Sequence, residues 1–128
     1  MQRYFLELAY DGTDYFGWQR QPNDISVQQV IEEQLSKLHS NTSIKVMGCG
    51  RTDTGVHAHH FILHCDLPKV ENSVLFLNKL NKMLPSSIAV HNLIAVEEDK
   101  HARFDATSRT YRYFVNKEKN PFKADYSW

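Results

Sequence analysis

The sequence predicts an α+β fold, one antiparallel sheet with two helices on one face. Three observations predict it. Segments of period-two apolar alternation recur along the chain, and two stretches carry an apolar stripe at helical spacing. Their order is strand, helix, strand, strand, helix, strand, with one strand more. That order is the split βαβ, or ferredoxin-like, arrangement. Helices on one side of such a sheet are expected to leave its other face free. The 128 residues form a single domain, 1–128, long enough to bury a real core.

Each element follows in turn. Tyr4 to Tyr10 alternates, with Tyr4, Leu6, Leu8 and Tyr10 on one face of the first strand. A polar and aromatic loop runs from Asp11 to Asp24. Ser26 then begins a helix, and Gln29 three residues on supplies a capping-box pattern. Val27, Val30, Ile31, Leu35 and Leu38 form its stripe. Ile44 to Cys49 reads as the second strand and Phe61 to Leu67 as the third.

After Pro68, Asn72 or Ser73 caps a second helix that ends near Leu84-Pro85. Its expected stripe is Val74, Leu77, Leu80 and Leu84, widened by Phe76 and Met83. Ile88 to Val96 is the fourth strand and Arg109 to Val115 the fifth. The run from Asn120 to Trp128 ends on aromatics with no closing element, and reads as a chain stopped partway.

Composition narrows the function classes. Hydrophobic residues at 41% and charged residues at 23% exclude a disordered chain. No apolar run has the length of a membrane span and Met1 to Phe5 is no signal peptide, so a cytosolic protein is expected. Cys49 and Cys65 lie in alternating segments and are expected to be buried free thiols. Net charge is zero, so global electrostatics announces no nucleic-acid partner. Distribution says more. Five of the six arginines (Arg20, Arg51, Arg103, Arg109 and Arg112) fall in three short segments. Arginine suits phosphate and base stacking, although simple pairing with Asp14, Asp53 and Asp105 would explain the same placement.

The first of these segments, in order of chemical interest, is Gly50-Arg51-Thr52-Asp53-Thr54-Gly55-Val56-His57-Ala58. It presents one carboxylate, Asp53, on a turn between two strand-like segments, where glycines allow a ligand close approach. A turn aspartate bonding its own backbone is the plainer explanation. Two nucleotide-binding templates fail here. Val56-His57 stands where a P-loop needs Lys-Ser/Thr, and Asp53 occupies the third glycine position of a dinucleotide fingerprint.

The second segment is the Tyr10 to Pro22 loop, where Tyr15, Phe16 and Trp18 lie among glycines, glutamines and Arg20. Such interleaving suits base stacking with phosphate contact. A loop folded back on the sheet, with Phe16 and Trp18 as anchors, would give it too. In the third segment, His101 to Tyr113, strand alternation puts Arg109, Tyr111 and Tyr113 on one face, a platform for a base or a cross-strand tyrosine pair. His57, His59, His60 and His64 cluster in sequence, but strand neighbours point to opposite faces, which argues against a metal site.

Taken together, the three segments resemble the tRNA pseudouridine synthases of the TruA family. The likeness lies in Tyr10 to Gln19, Gly50 to Ala58, and Arg109 to Tyr113, in that order, and spans Tyr4 to Tyr113. Thr54 stands where the family more often has alanine. The resemblance implies that Asp53 is the nucleophile in isomerising uridine, and that no cofactor or metal is needed. It implies that Tyr111 stacks on the extruded uracil and that Arg51 helps hold the flipped state, with Arg109 beside them on the substrate face. Thr52 and His57 would shape the turn. The implied substrate is uridine on the 3′ side of the tRNA anticodon stem-loop. Family members are about twice this length and act as homodimers, and a second domain supplies a basic partner for the aspartate. The chain is therefore expected to be an N-terminal half-domain, inactive by itself.

Two other readings compete. A non-catalytic RNA-binding module of RRM-like topology would use the open sheet face, but the basic, aromatic-rich run expected of it is missing. A metal-binding domain would use His57, His59, His60 and Cys65.

Overall fold

The structure, a computed structural model, describes residues 1–102. The predicted fifth strand, and with it Arg109 and Tyr111, lies outside the described residues. The elements are β1 (Gln2–Tyr10), α1 (Val27–Leu38), β2 (Val46–Gly48), β3 (Ala58–Leu67), α2 (Ser73–Met83) and β4 (Ile88–Val96). The four strands form one sheet in the order β2-β3-β1-β4, and every neighbouring pair is antiparallel. Strand β3 lies between β1 and β2, which is what makes the first β-α-β unit split. The α+β, ferredoxin-like arrangement read from the sequence is the one observed.

Alternation places Tyr4, Leu6, Leu8 and Tyr10 of β1 in the core beside Phe61, Leu63, Cys65 and Leu67 of β3. Strand β4 contributes Ile88, Val90 and Leu93. The step from two residues to three between Val90 and Leu93 coincides with an irregularity opposite Glu7 and Leu8. A bulge of this kind restores the apolar phase after it has slipped by one residue. Cys65 is buried, which pushes its thiol up to about 12, and Cys49 is half-buried; both are free.

Both helices are capped as their sequences suggest. Ser26 Oγ accepts from the Gln29 backbone N–H at 3.2 Å, and Asn72 Oδ1 accepts from the Leu75 N–H at 3.1 Å. Only half of the capping box forms, because the Gln29 side chain donates to Glu33 instead. The α2 stripe also differs from expectation. Phe76, Leu80 and Leu84 are buried, but Val74 is 67% exposed. Val74 lies two residues before Phe76, about 200° around the helix, so the two cannot share one buried face.

Strand β2 is shorter than the predicted 44–49. The backbone of Val46 turns its polar groups toward α1, where its N–H donates to Glu32 Oε2 at 3.0 Å and its carbonyl accepts from Gln28 Nε2 at 3.0 Å. Glu32 is buried and also receives Arg20 Nε at 2.9 Å. The opposite margin of the sheet, as the described residues form it, is treated alike. Asn81 of α2 donates to the Val90 carbonyl at 2.9 Å and accepts from the Val90 N–H at 2.8 Å.

The other sheet face carries Arg3 and Asp66 as a cross-strand pair, joined by two bonds of 2.9 and 3.0 Å. This face is less open than predicted, because the chain after β4 returns across one end of it. There Arg3 Nη1 donates to the Lys100 carbonyl, and the Ala102 N–H donates to His64 Nδ1 at 3.0 Å. His64 is consequently only 8% exposed, with the His101 ring against it at 4.4 Å.

Burial, reinforced by the charges of Arg3 and His101, brings His64 down to about 4 from an ordinary 6.5. The unfolded chain therefore takes up a proton near pH 6.5 that the folded chain refuses until about pH 4. Stability present at neutral pH is expected to drain away as pH falls across that window. Urea midpoints from pH 7.5 to pH 4 check this, and the slope should be shallower in a His64→Leu variant.

Candidate active site

The Asp53 turn leaves the sheet just after the Cys49 N–H donates to the Ile62 carbonyl at 2.8 Å, one residue beyond the end of β2. Strand β3 begins at Ala58, opposite Tyr10, and between the Leu8 and Tyr10 pairings His59 and His60 together stand opposite the single residue Ala9, one residue more than a regular ladder holds. The turn itself closes through the Val56 N–H on the Asp53 carbonyl at 3.2 Å. Gly55 has φ +78°, a left-handed conformation in which glycine carries no Cβ penalty.

Residues 10–18 back this turn along its length. The Gly12 N–H donates to His57 Nδ1 at 2.9 Å, the Trp18 N–H to the Thr52 carbonyl at 3.3 Å, and the Gly55 N–H to the Tyr15 carbonyl at 3.1 Å. Tyr10 and Thr52 join by their hydroxyls at 2.8 Å. The backbones approach so closely that a Cβ at Gly12 would overlap the Val56 carbonyl, and one at Gly17 the Thr52 carbonyl. Asp11 Oδ1 lies 3.0 Å from His57 Nδ1 and accepts from the Thr13 N–H.

The loop aromatics divide by environment. Trp18 is 1% exposed, its ring 4.4 Å from Phe61 and 6.3 Å from Tyr10. Tyr15 is buried with its hydroxyl 2.6 Å from Ser87 Oγ. Phe16, by contrast, is 44% exposed. Trp18 and Tyr15 are thus the anchors of the folded-back loop, and Phe16, expected to be one, faces outward. Burial pushes the Tyr10 phenol up to about 12, so it remains neutral at physiological pH.

Asp53 and Arg51 are both exposed on the turn. Neither side chain makes a hydrogen bond or ion pair among the described residues, so the simple Arg51–Asp53 pairing does not form. Arg20 pairs with Glu32 rather than with Asp14. Arg109 and Tyr111 lie outside the described residues. No group of three or more metal-ligating side chains converges among the described residues. His59 and His60 are exposed, whereas Cys65 belongs to the core. Nor is any helix among the described residues long and apolar enough to cross a membrane.

A carboxylate held outward on a backed turn, with an arginine two residues before it that has no ion pair among the described residues, is an arrangement for meeting a polar ligand. A sequence model of tRNA pseudouridine synthase matches residues 8–105, which take in this turn and the loop behind it. The chain belongs to that family. A tRNA pseudouridine synthase A of Parabacteroides distasonis is 50% identical over 123 residues, 95% of this chain and 48% of that protein. The enzyme of the same name from Bacteroides thetaiotaomicron is 48% identical over 128 residues, all of this chain and 47% of the relative. One from Prochlorococcus marinus is 44% identical over 130 aligned residues, again all of this chain and 48% of the relative. The chain spans about half the length of the curated relatives it matches.

The sequence points to Asp53 and Arg51, and the resemblance to Thr52 and His57 as residues that shape the turn, but not to the partners these two would take in the first loop. Tyr10 and Gly12 stand in the Tyr10 to Gln19 segment that carries the resemblance, but nothing local ties them to Thr52 and His57. One available signal was the Tyr10 hydroxyl itself, a polar group at a core position that requires a partner.

Proposed function

We propose that this chain is the N-terminal part of a tRNA pseudouridine synthase in which Asp53 is the nucleophile. The carrying observation is the exposed Asp53 carboxylate, set on a turn that the first loop braces on several sides, in a chain of this family. The reaction breaks the bond from ribose C1′ to uracil N1, rotates the base, and forms a bond from C1′ to C5. The proton lost from C5 is balanced by one gained at N1, so the step is an isomerisation. A carboxylate serves it by attack on C1′, by attack on the base, or by removing a ribose proton.

A uridine within an RNA stem must first leave the stack, at a cost of a few kcal/mol. An exposed carboxylate suits an extruded nucleoside better than a buried one would. Arg51, exposed and without an ion pair among the described residues, would approach a phosphate or the flipped nucleotide, and Tyr111 and Arg109 complete the substrate face on this reading. Uridines on the 3′ side of the anticodon stem-loop are the proposed targets. The rest of the protein, in a homodimer, supplies the basic partner that Asp53 lacks among the described residues.

The test is incubation of the full-length protein with unmodified tRNA, followed by chemical mapping of pseudouridine. Signal confined to the anticodon arm is expected, and none is expected from residues 1–128 alone. Tight tRNA binding by the full-length protein without any pseudouridine would replace this reading with that of an RNA-binding module.

A further inference from the structure

Tyr10 occupies the last position of β1 and is a core residue, its ring packed against Phe61 and Trp18. A phenylalanine would fill the same space. The hydroxyl has one purpose visible in the geometry, the 2.8 Å bond to Thr52 Oγ1, and meets no other polar partner among the described residues. A buried hydroxyl stripped of its partner costs about 1–3 kcal/mol, so the Tyr10 hydroxyl needs Thr52.

Thr52 immediately precedes Asp53. Its side chain is tied to β1 and its carbonyl oxygen to the Trp18 N–H, so the residue before the carboxylate is gripped from two directions. After it, the Asp53 carbonyl takes the Val56 N–H, and the Gly55 N–H reaches the Tyr15 carbonyl. The Asp53 carboxylate itself has no hydrogen bond among the described residues, so its backbone neighbours set where it stands. Of these ties, the Tyr10–Thr52 bond is the side-chain link to a strand at the centre of the sheet.

We infer that Tyr10 is a positioning residue, its hydroxyl fixing the Asp53 carboxylate through Thr52. The inference rests on the proposed reading of Asp53 as nucleophile. Bringing a carboxylate onto one atom of an extruded nucleoside tolerates little error, since a misplacement of about 1 Å costs on the order of a hundredfold in rate.

The experiment uses the full-length protein. Tyr10→Phe is expected to lower kcat about tenfold while KM for tRNA stays within about twofold, the signature of a group that acts only in the chemical step. Thr52→Val should match it. The double variant should be no worse than either single one, because both remove the same bond. Thr52→Ser keeps the oxygen and should return kcat to within about threefold of the parent. Amide exchange across residues 50–57 should quicken in Tyr10→Phe, whatever the protein's activity.

Losses that add in the double variant overturn the inference, as does a Thr52→Ser enzyme as slow as Thr52→Val. Unchanged kcat together with unchanged exchange in Tyr10→Phe overturns it as well. If the parent forms no pseudouridine, the proposed reaction fails separately. Faster exchange of the turn in Tyr10→Phe would then still support the tie to Thr52, and unaltered exchange would end it.

Discussion

Asp53→Asn in the full-length protein is expected to slow pseudouridine formation by about a thousandfold or more. Asparagine keeps the shape of the side chain but supplies neither the nucleophilic oxygen nor a base. The fold should not notice. Asp53 is exposed and its side chain makes no hydrogen bond or ion pair among the described residues, so stability should change by less than about 0.5 kcal/mol. Binding of tRNA should hold or improve, because a negative charge facing phosphates has been removed. Single-turnover rates, a urea midpoint and a binding isotherm on the same preparation separate these effects. A variant that turns over at the parent's rate would move the nucleophile away from this turn.

Gly12→Ala is expected to be the most damaging single-methyl change in the described part of the chain. The added Cβ would overlap the Val56 carbonyl and crowd that residue's amide nitrogen, and all of these are backbone atoms. No rotamer relieves the clash. The first loop must part from the Asp53 turn, taking with it the bond from the Gly12 N–H to His57. A loss of about 2–4 kcal/mol follows, in the range of severe overpacking. Gly55 supplies the control. It has open space around it but a positive φ, so Gly55→Ala should cost only about 1–2 kcal/mol and Gly55→Asn less. Denaturation midpoints should rank the three variants in that order. If Gly55→Ala proves the worst, turn conformation matters more than the fit of loop to turn.

The elements that announce themselves in this sequence are those whose residues are neighbours along the chain. The alternation from Tyr4 to Tyr10, the Ser26 and Asn72 caps, and the stripe of α1 are all local, and all appear in the structure. Val74 misled because a broad apolar stretch offers two helix faces, and only tertiary contact chooses between them. Strand β2 came out short because only Val46, Met47 and Gly48 pair with β3. Its backbone is shared with Gln28 and Glu32, which no pattern within 44–49 reveals. The candidate site divides the same way. Asp53 and Arg51 stand together in a recognisable segment, whereas the bonds that brace them join residues 42 and 45 positions apart. Pairings at such distance leave no local period to read.

The side chains of Gln28, Glu32 and Asn81 have a consequence for how this protein behaves in company. A sheet margin with unpaired backbone groups invites a foreign strand, and that is a common start to aggregation. Here α1 and α2 answer those groups at Val46 and Val90 with amides and a carboxylate that imitate a neighbouring strand. Guarding the margins and docking the helices are therefore a single event. A chain whose α2 has come away bares the apolar face and the β4 margin together, at the moment when both are most adhesive. The hazard then belongs to the partly opened molecule, and its rate of aggregation should follow the undocking of α2 more closely than global unfolding.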